Sequence, residues 1–207
     1  MTEFQYGQKE IDYLKAREPR LGRAIEQIGY IHRQVIPDIF EAIINSIVGQ
    51  QITTKAQETI WGRMKDHFGM VTPQAVLEME AERLQAFGIS YRKVSYMKNI
   101  AGRVMDGSLS LEELVKKSDG QLCQELTKLN GIGMWTAEMI LIFCLQRPNV
   151  MSYGDLAIHR GMRILYRLEK IDRELFYRYY KIYSPCATVA CLYLWEIARG
   201  FPLALEE

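Results

Sequence analysis

The chain has 207 residues, 48% of them hydrophobic and 25% charged, with a formal net charge of only +1. That length supports one or two compact domains with a real core, and so much apolar content excludes a disordered chain. No apolar run is long enough to span a bilayer, and the strongly basic footprint usual in DNA binders is missing at the level of the whole chain.

The N-terminal stretch, with Glu3, Lys9, Glu10 and Asp12, lacks the apolar core of a signal peptide. Beyond it the pattern predicts helices at 9–17, 20–29, 37–51, 53–68, 73–78, 80–86, 91–106, 110–116, 119–128, 134–146, 155–168, 172–182 and 186–199. Breaks fall at Pro19, Pro37, Gly69 to Pro73, Gly88, Gly107, Gly131 to Gly133, Pro148 and Pro185. No segment alternates as a strand, and there are no repeats or low-complexity tracts. The expected class is all-α.

Cys123, Cys144, Cys186 and Cys191 form no CxxC pair and sit in helical, mostly apolar surroundings. They read as buried free thiols in a reducing compartment. Positive charge is local. Arg92, Lys93, Lys98 and Arg103 gather around one turn and helix, and His159, Arg160, Arg163, Arg167 and Lys170 form a second group. Acids concentrate at Glu78–Glu82, Glu112–Glu113 and Glu206–Glu207. The ordinary reading of such runs is a solvated helix face.

The segment Leu129-Asn130-Gly131-Ile132-Gly133-Met134-Trp135-Thr136-Ala137 carries more information. Two glycines flank one apolar residue just before a helix. Glycine permits positive φ and close backbone approach, and the free N–H groups at a helix start bind phosphate without a lysine. Ile132 is expected to plug between the two helices. The dinucleotide fingerprint is excluded, because helix rather than strand precedes the turn and no third glycine follows. The phosphate-loop motif is excluded, because no Gly-Lys-Ser/Thr follows. A helix-hairpin-helix and an ordinary helix–helix turn both remain open on the turn alone.

Downstream lies Met151-Ser152-Tyr153-Gly154-Asp155-Leu156-Ala157-Ile158-His159-Arg160. Asp155 stands where an N-cap acid belongs. It is either a simple cap or a carboxylate held at a cleft mouth beside the hairpin. His159, a lone histidine four residues on, reads as structural or solvent-facing.

The hairpin, its connector and the acid about twenty positions later resemble the helix-hairpin-helix, Gly/Pro-Asp superfamily of DNA glycosylases. Within it the chain is most similar to the alkylpurine branch, the 3-methyladenine DNA glycosylase II type. Phe40-Glu41-Ala42-Ile43-Ile44-Asn45-Ser46-Ile47-Val48-Gly49-Gln50-Gln51 resembles that branch's F-x-x-L-x-x-x-I-x-x-Q-Q helix, and Gly88-Ile89-Ser90-Tyr91-Arg92-Lys93 its G-x-S-x-x-K turn. The likeness runs from about Phe40 to Gly200.

The resemblance implies two helical lobes with an active-site cleft between them: one of 53–146, carrying the hairpin at about 121–146, the other of 1–52 with 147–207. It implies a monofunctional enzyme that flips alkylated purines out of double-stranded DNA and hydrolyses the N-glycosidic bond in base excision repair. Asp155 would stabilise the oxocarbenium-like state or orient water. Trp135 stands where bifunctional members carry a Schiff-base lysine, so lyase chemistry is not expected. Trp195 would stack on the cationic base, with Trp135, Met139 and Tyr153 as further pocket residues; relatives often have an aromatic where this chain has Met139. Gln50 and Gln51 would form the DNA wedge, relatives often having leucine at the second position. Asn130, Gly131, Ile132, Gly133 and Thr136, with Arg92 and Lys93, would meet phosphates. The endonuclease III branch's four-cysteine pattern is absent, so no iron–sulfur cluster and no catalytic metal is expected; a structural monovalent cation at the hairpin carbonyls is implied by analogy. The expected partner is DNA containing a damaged base, with no membrane and a monomeric state, in the cytoplasm or nucleoid of a prokaryote or the nucleus of a eukaryote. Two alternatives stand beside this: excision of another lesion, such as hypoxanthine or an oxidised purine, and a non-catalytic hairpin module that only binds DNA.

Overall fold

A computed structural model describes residues 2–204; Glu206 and Glu207 lie outside the described residues. Among those described there are thirteen α-helices and no strand, only an isolated bridge between Glu3 and Gln34. The helices are α1 Gln8–Arg17, α2 Pro19–Ile28, α3 Ile39–Gly49, α4 Thr54–Phe68, α5 Pro73–Glu78, α6 Ala81–Ala86, α7 Tyr91–Met105, α8 Leu111–Val115, α9 Asp119–Leu126, α10 Met134–Phe143, α11 Leu156–Tyr166, α12 Arg173–Tyr183 and α13 Ala187–Arg199. The all-α expectation holds. Boundaries move where caps intervene. The helix expected over 37–51 begins only after Asp38, whose carboxylate accepts the Glu41 amide, and ends before Gln50, which is extended. None of the described helices is long and apolar enough to cross a membrane.

The chain divides into two compact units, residues 1–35 with 146–207 and residues 36–145. The division expected at 52/53 thus lies at 35/36. The reason is α3. Eight of its eleven residues are buried, so it is apolar on nearly every side and must be enclosed. It packs on α4, α7 and α10, and becomes the central helix of the 36–145 unit. Its one buried charge, Glu41, is answered twice: Lys65 Nζ donates at 2.6 Å and the Val71 amide at 2.8 Å. That carboxylate fixes the end of α4 and the turn after it. Glu41→Ala strands a buried amide and a lysine, so unfolding in urea is expected to show a loss of about 1–3 kcal/mol.

In the other unit α13 is the core. Every residue from Ala187 to Ala198 except Glu196 is buried. α11 crosses α13 with no side chain between them at one point: a Cβ on Gly161 would lie 2.2 Å from the carbonyl oxygen of Leu194. Gly161 therefore sets the distance between the two helices. A buried polar chain ties α2 to this pair. Glu18 accepts from the Leu21 amide at 2.6 Å and from the Tyr166 hydroxyl at 3.1 Å, and the Tyr166 and Tyr183 hydroxyls lie 2.5 Å apart. Burial pushes both phenols well above their ordinary range, so they remain protonated donors. All four cysteines are buried thiols outside any disulfide, as expected. Burial raises Cys123 to about 11 and Cys144 to about 12.

Candidate functional site

The hairpin joins α9 to α10. Gly131 has φ +87°, and a Cβ there would meet the Tyr96 ring at 2.5 Å. Glycine is required at this point on both counts. Ile132 is buried, with its amide on the Leu129 carbonyl at 3.0 Å, so it plugs the turn as expected. Gly133 differs from expectation. It is the N-cap of α10 at φ −92°, backbone open to any residue, and an added Cβ would meet nothing within 4 Å. Neither conformation nor packing within the protein demands glycine at 133. What it leaves is bare backbone at the start of α10, which no side chain caps. Asn130 is exposed there, Thr136 is buried, Met139 is half-buried, and Trp135 keeps 49% of its surface exposed.

The loop after α3 is fastened to this hairpin. The Gln50 side-chain amide donates to the Gly131 carbonyl at 2.5 Å. The Lys93 ammonium donates to the carbonyls of Val48 at 2.8 Å and Gln50 at 2.6 Å, closing the C-terminal end of α3, where cations are favoured. Burial, then the neighbouring Arg92, lowers the Lys93 pKa. Lys93 therefore caps a helix rather than standing open to a phosphate, whereas Arg92 is exposed. Gln51 is exposed with φ +57°, and Ile52 beside it is 38% exposed. Three expected site residues, Gln50, Lys93 and Gly131, thus share one bonded assembly, and Gln51 is the next residue of its loop. Tyr96 is the member that sequence reading missed; its spacing of three from Lys93 on one helix was the available signal. The Gly131 and Leu129 carbonyls each accept one hydrogen bond. Among the described residues no group of three His, Cys, Asp or Glu could hold a metal ion.

Asp155 lies in the other unit. It is the N-cap of α11, and its Oδ1 accepts the Ala157 and Ile158 amides at 2.9 Å each. At 5% exposure its carboxylate is buried, with one oxygen anchored by these two backbone amides. Tyr153, 38% exposed, packs edge-on against His159 and Phe176, with ring centroids 5.0 and 5.1 Å away. A His159 ring nitrogen, Nε2, lies 2.8 Å from the Tyr153 carbonyl, consistent with the structural role expected for that histidine. Trp195 is buried at 7% exposure within α13.

A protein-family model described as the HhH-GPD superfamily base excision DNA repair protein matches residues 44–185. The chain belongs to the HhH-GPD superfamily. This superfamily member is 36% identical over 165 residues to DNA-3-methyladenine glycosylase 1 of Schizosaccharomyces pombe, a span covering 77% of this chain and 72% of that one. Its fold matches the crystal structure of a DNA-3-methyladenine glycosidase from Bacillus halodurans, with TM-score 0.81, 34% identity and coverage of 97% of this chain and 94% of that one. It also matches a Schizosaccharomyces pombe 3-methyladenine DNA glycosylase in complex with abasic DNA, with TM-score 0.81, 32% identity and coverage of 95% and 98%.

Proposed function

We propose that this HhH-GPD protein is a monofunctional DNA glycosylase that excises alkylated purines of the 3-methyladenine type from duplex DNA. The observation that carries the reading is a buried carboxylate, Asp155, fixed by two backbone amides, in a chain whose relatives carry that activity in their names. N-methylation leaves the purine cationic, so it can depart as a neutral base while positive charge builds on the deoxyribose. Asp155 stabilises that charge and orients water for attack on the sugar carbon. The hydrolysis ends with free base, an abasic sugar and a proton released from the water. Trp135 occupies the hairpin position where bifunctional members carry the Schiff-base lysine, so no strand cleavage follows.

The remaining residues take these roles. Bare backbone at Gly133, with Asn130, Gly131, Ile132 and Thr136, receives a phosphate, and Arg92 adds charge. Lys93 acts through the Gln50 carbonyl by shaping the loop that carries Gln50 and Gln51. Gln51, exposed, fills the gap left by the extruded base, where a polar side chain hydrogen-bonds the orphaned partner. Trp135 and Tyr153 offer exposed ring surface for stacking, and Met139 lies one turn beyond Trp135. Trp195 is buried, and its assignment rests on family resemblance. Extrusion costs a few kcal/mol, less for a damaged base, and stacking returns part of it.

The two hairpin glycines give a separable prediction. Gly133→Ala is expected to leave the melting temperature nearly unchanged and to weaken duplex binding, because its methyl group stands where a phosphate would approach. Gly131→Ala is expected to lower stability by about 1–3 kcal/mol. Thermal melting beside a duplex-binding titration reads both. The reading as a whole is tested by base release from duplex DNA containing 3-methyladenine and 7-methylguanine, with strand nicking scored separately. Free base without nicking supports it. Tight duplex binding with no release of these bases, hypoxanthine or an oxidised purine would leave a binding module instead.

A further inference from the structure

α11 and α12 carry a charge excess that the proposed reaction does not use. From Leu156 to Tyr183 there are seven arginines and lysines against three acids, in a chain of net charge +1. One of those acids, Asp172, is occupied in capping α12 through the Leu175 amide. Several surface cations elsewhere are paired: Lys15 with Glu26, Lys116 with Glu112 and Glu113, Lys128 with Glu125, Arg199 with Glu196. Among the described residues Arg160, Arg163, Arg173, Arg178 and Lys181 form no ion pair, and all five are exposed. Like charges left together and unpaired raise the energy of the folded chain unless an anion joins them.

The arrangement on α12 is specific. Arg173, Tyr177 and Lys181 are spaced by four and share one face, and with Arg178 and a single acid, Glu174, they border one shallow depression. The Arg173 guanidinium lies 5.7 Å from the Tyr177 ring centroid and 6.0 Å from that of Tyr153. The two rings are near-parallel, 6.2 Å apart. Resting on them orients the guanidinium and limits the rotamer entropy lost when it meets a ligand. Tyr153 is two residues before Asp155, so the oriented cation belongs to the same loop system as the acid. Cations interleaved with exposed aromatic rings suit a phosphodiester backbone, which presents a negative charge at every nucleotide.

We propose that Arg173, Arg178 and Lys181, with Arg173 positioned by Tyr153 and Tyr177, form a second phosphate-binding surface that holds the DNA backbone beside the reacting nucleotide. This rests on the glycosylase reading and extends it, since the hairpin would then not be the sole grip on the duplex.

The test is the salt dependence of duplex binding. Each lost phosphate contact lowers the magnitude of the slope of log K against log salt by about 1. Arg173→Ala is expected to lower it by about 1, and the triple replacement of Arg173, Arg178 and Lys181 by alanine by about 3. Arg23→Ala, which removes an exposed charge on α2 instead, is expected to leave it unchanged. The double variant Arg178→Ala with Lys181→Ala keeps the Tyr153 packing intact and is expected to lose about 2. Circular dichroism checks that each variant is folded. Slopes equal to wild type in the folded triple variant overturn the proposal while leaving the glycosylase reading standing. Absence of salt-dependent duplex binding by the wild type overturns both.

Discussion

Asp155→Asn is expected to lower base release by a factor of about 10²–10³ while leaving duplex affinity and stability nearly unchanged. The separation is possible because of how the side chain is held. Oδ1 accepts two amides at the start of α11, and an asparagine oxygen accepts the same pair. Asn and Asp are near-equal N-caps, so the helix start survives the exchange. What is lost is the negative charge that the developing oxocarbenium ion needs. Asp155→Ala is a poorer test, since it also removes the cap, at a cost of about 1 kcal/mol. Single-turnover release from a 7-methylguanine duplex, measured beside a binding titration, distinguishes the roles. Release by Asp155→Asn at the wild-type rate would reduce Asp155 to a helix cap and remove the proposed mechanism.

Gly161→Ala is expected to be the most destabilising single methyl addition on α11. The new Cβ would sit 2.2 Å from the Leu194 carbonyl oxygen and 2.8 Å from its carbon. These are backbone atoms of a helix buried along most of its length, so no side chain can swing aside. α11 must move away from α13, opening packing on both sides of the contact. A loss of about 2–4 kcal/mol follows from overpacking of this severity, read as a drop of roughly 5–15 °C in melting temperature for a chain of this size. Activity should fall further than stability alone accounts for, because α11 begins at Asp155 and α13 carries Trp195. Gly102→Ala, on an α7 glycine where an added Cβ would meet nothing within 4 Å, is the matched control.

Much of this was legible in the sequence because it rests on local chemistry. Helix starts are set locally, by Asp38, Thr53, Thr72, Ser90 and Asp172, each of which accepts a first-turn amide. The hairpin was readable from two glycines around a buried isoleucine, and Asp155 from its place after a breaker. What escaped was long-range. Nothing local says that Lys93 reaches back some forty residues to the end of α3, or that Gln50 reaches forward to Gly131. A lysine in a basic cluster reads as a phosphate ligand until its carbonyl partners are seen. The unit boundary moved for the same reason. The resemblance implies that α3 belongs with the N-terminal helices, whereas its burial on nearly every side decides its neighbours. Gly133 shows the converse case: its expected backbone distortion is missing, and the residue is better explained by what the chain leaves room for than by how the chain bends.

The cysteines bear on the conditions under which such an enzyme has to work. Its substrates arise when methylating electrophiles reach DNA, and the same reagents attack protein thiolates. An ordinary thiol keeps a few per cent of its population ionised at neutral pH. With Cys144 raised to about 12 and Cys123 to about 11, the ionised fraction falls to roughly 10⁻⁵–10⁻⁴, and burial of all four sulfurs keeps the reagent at a distance. The folded chain is thereby a poor target for the chemistry whose damage it removes.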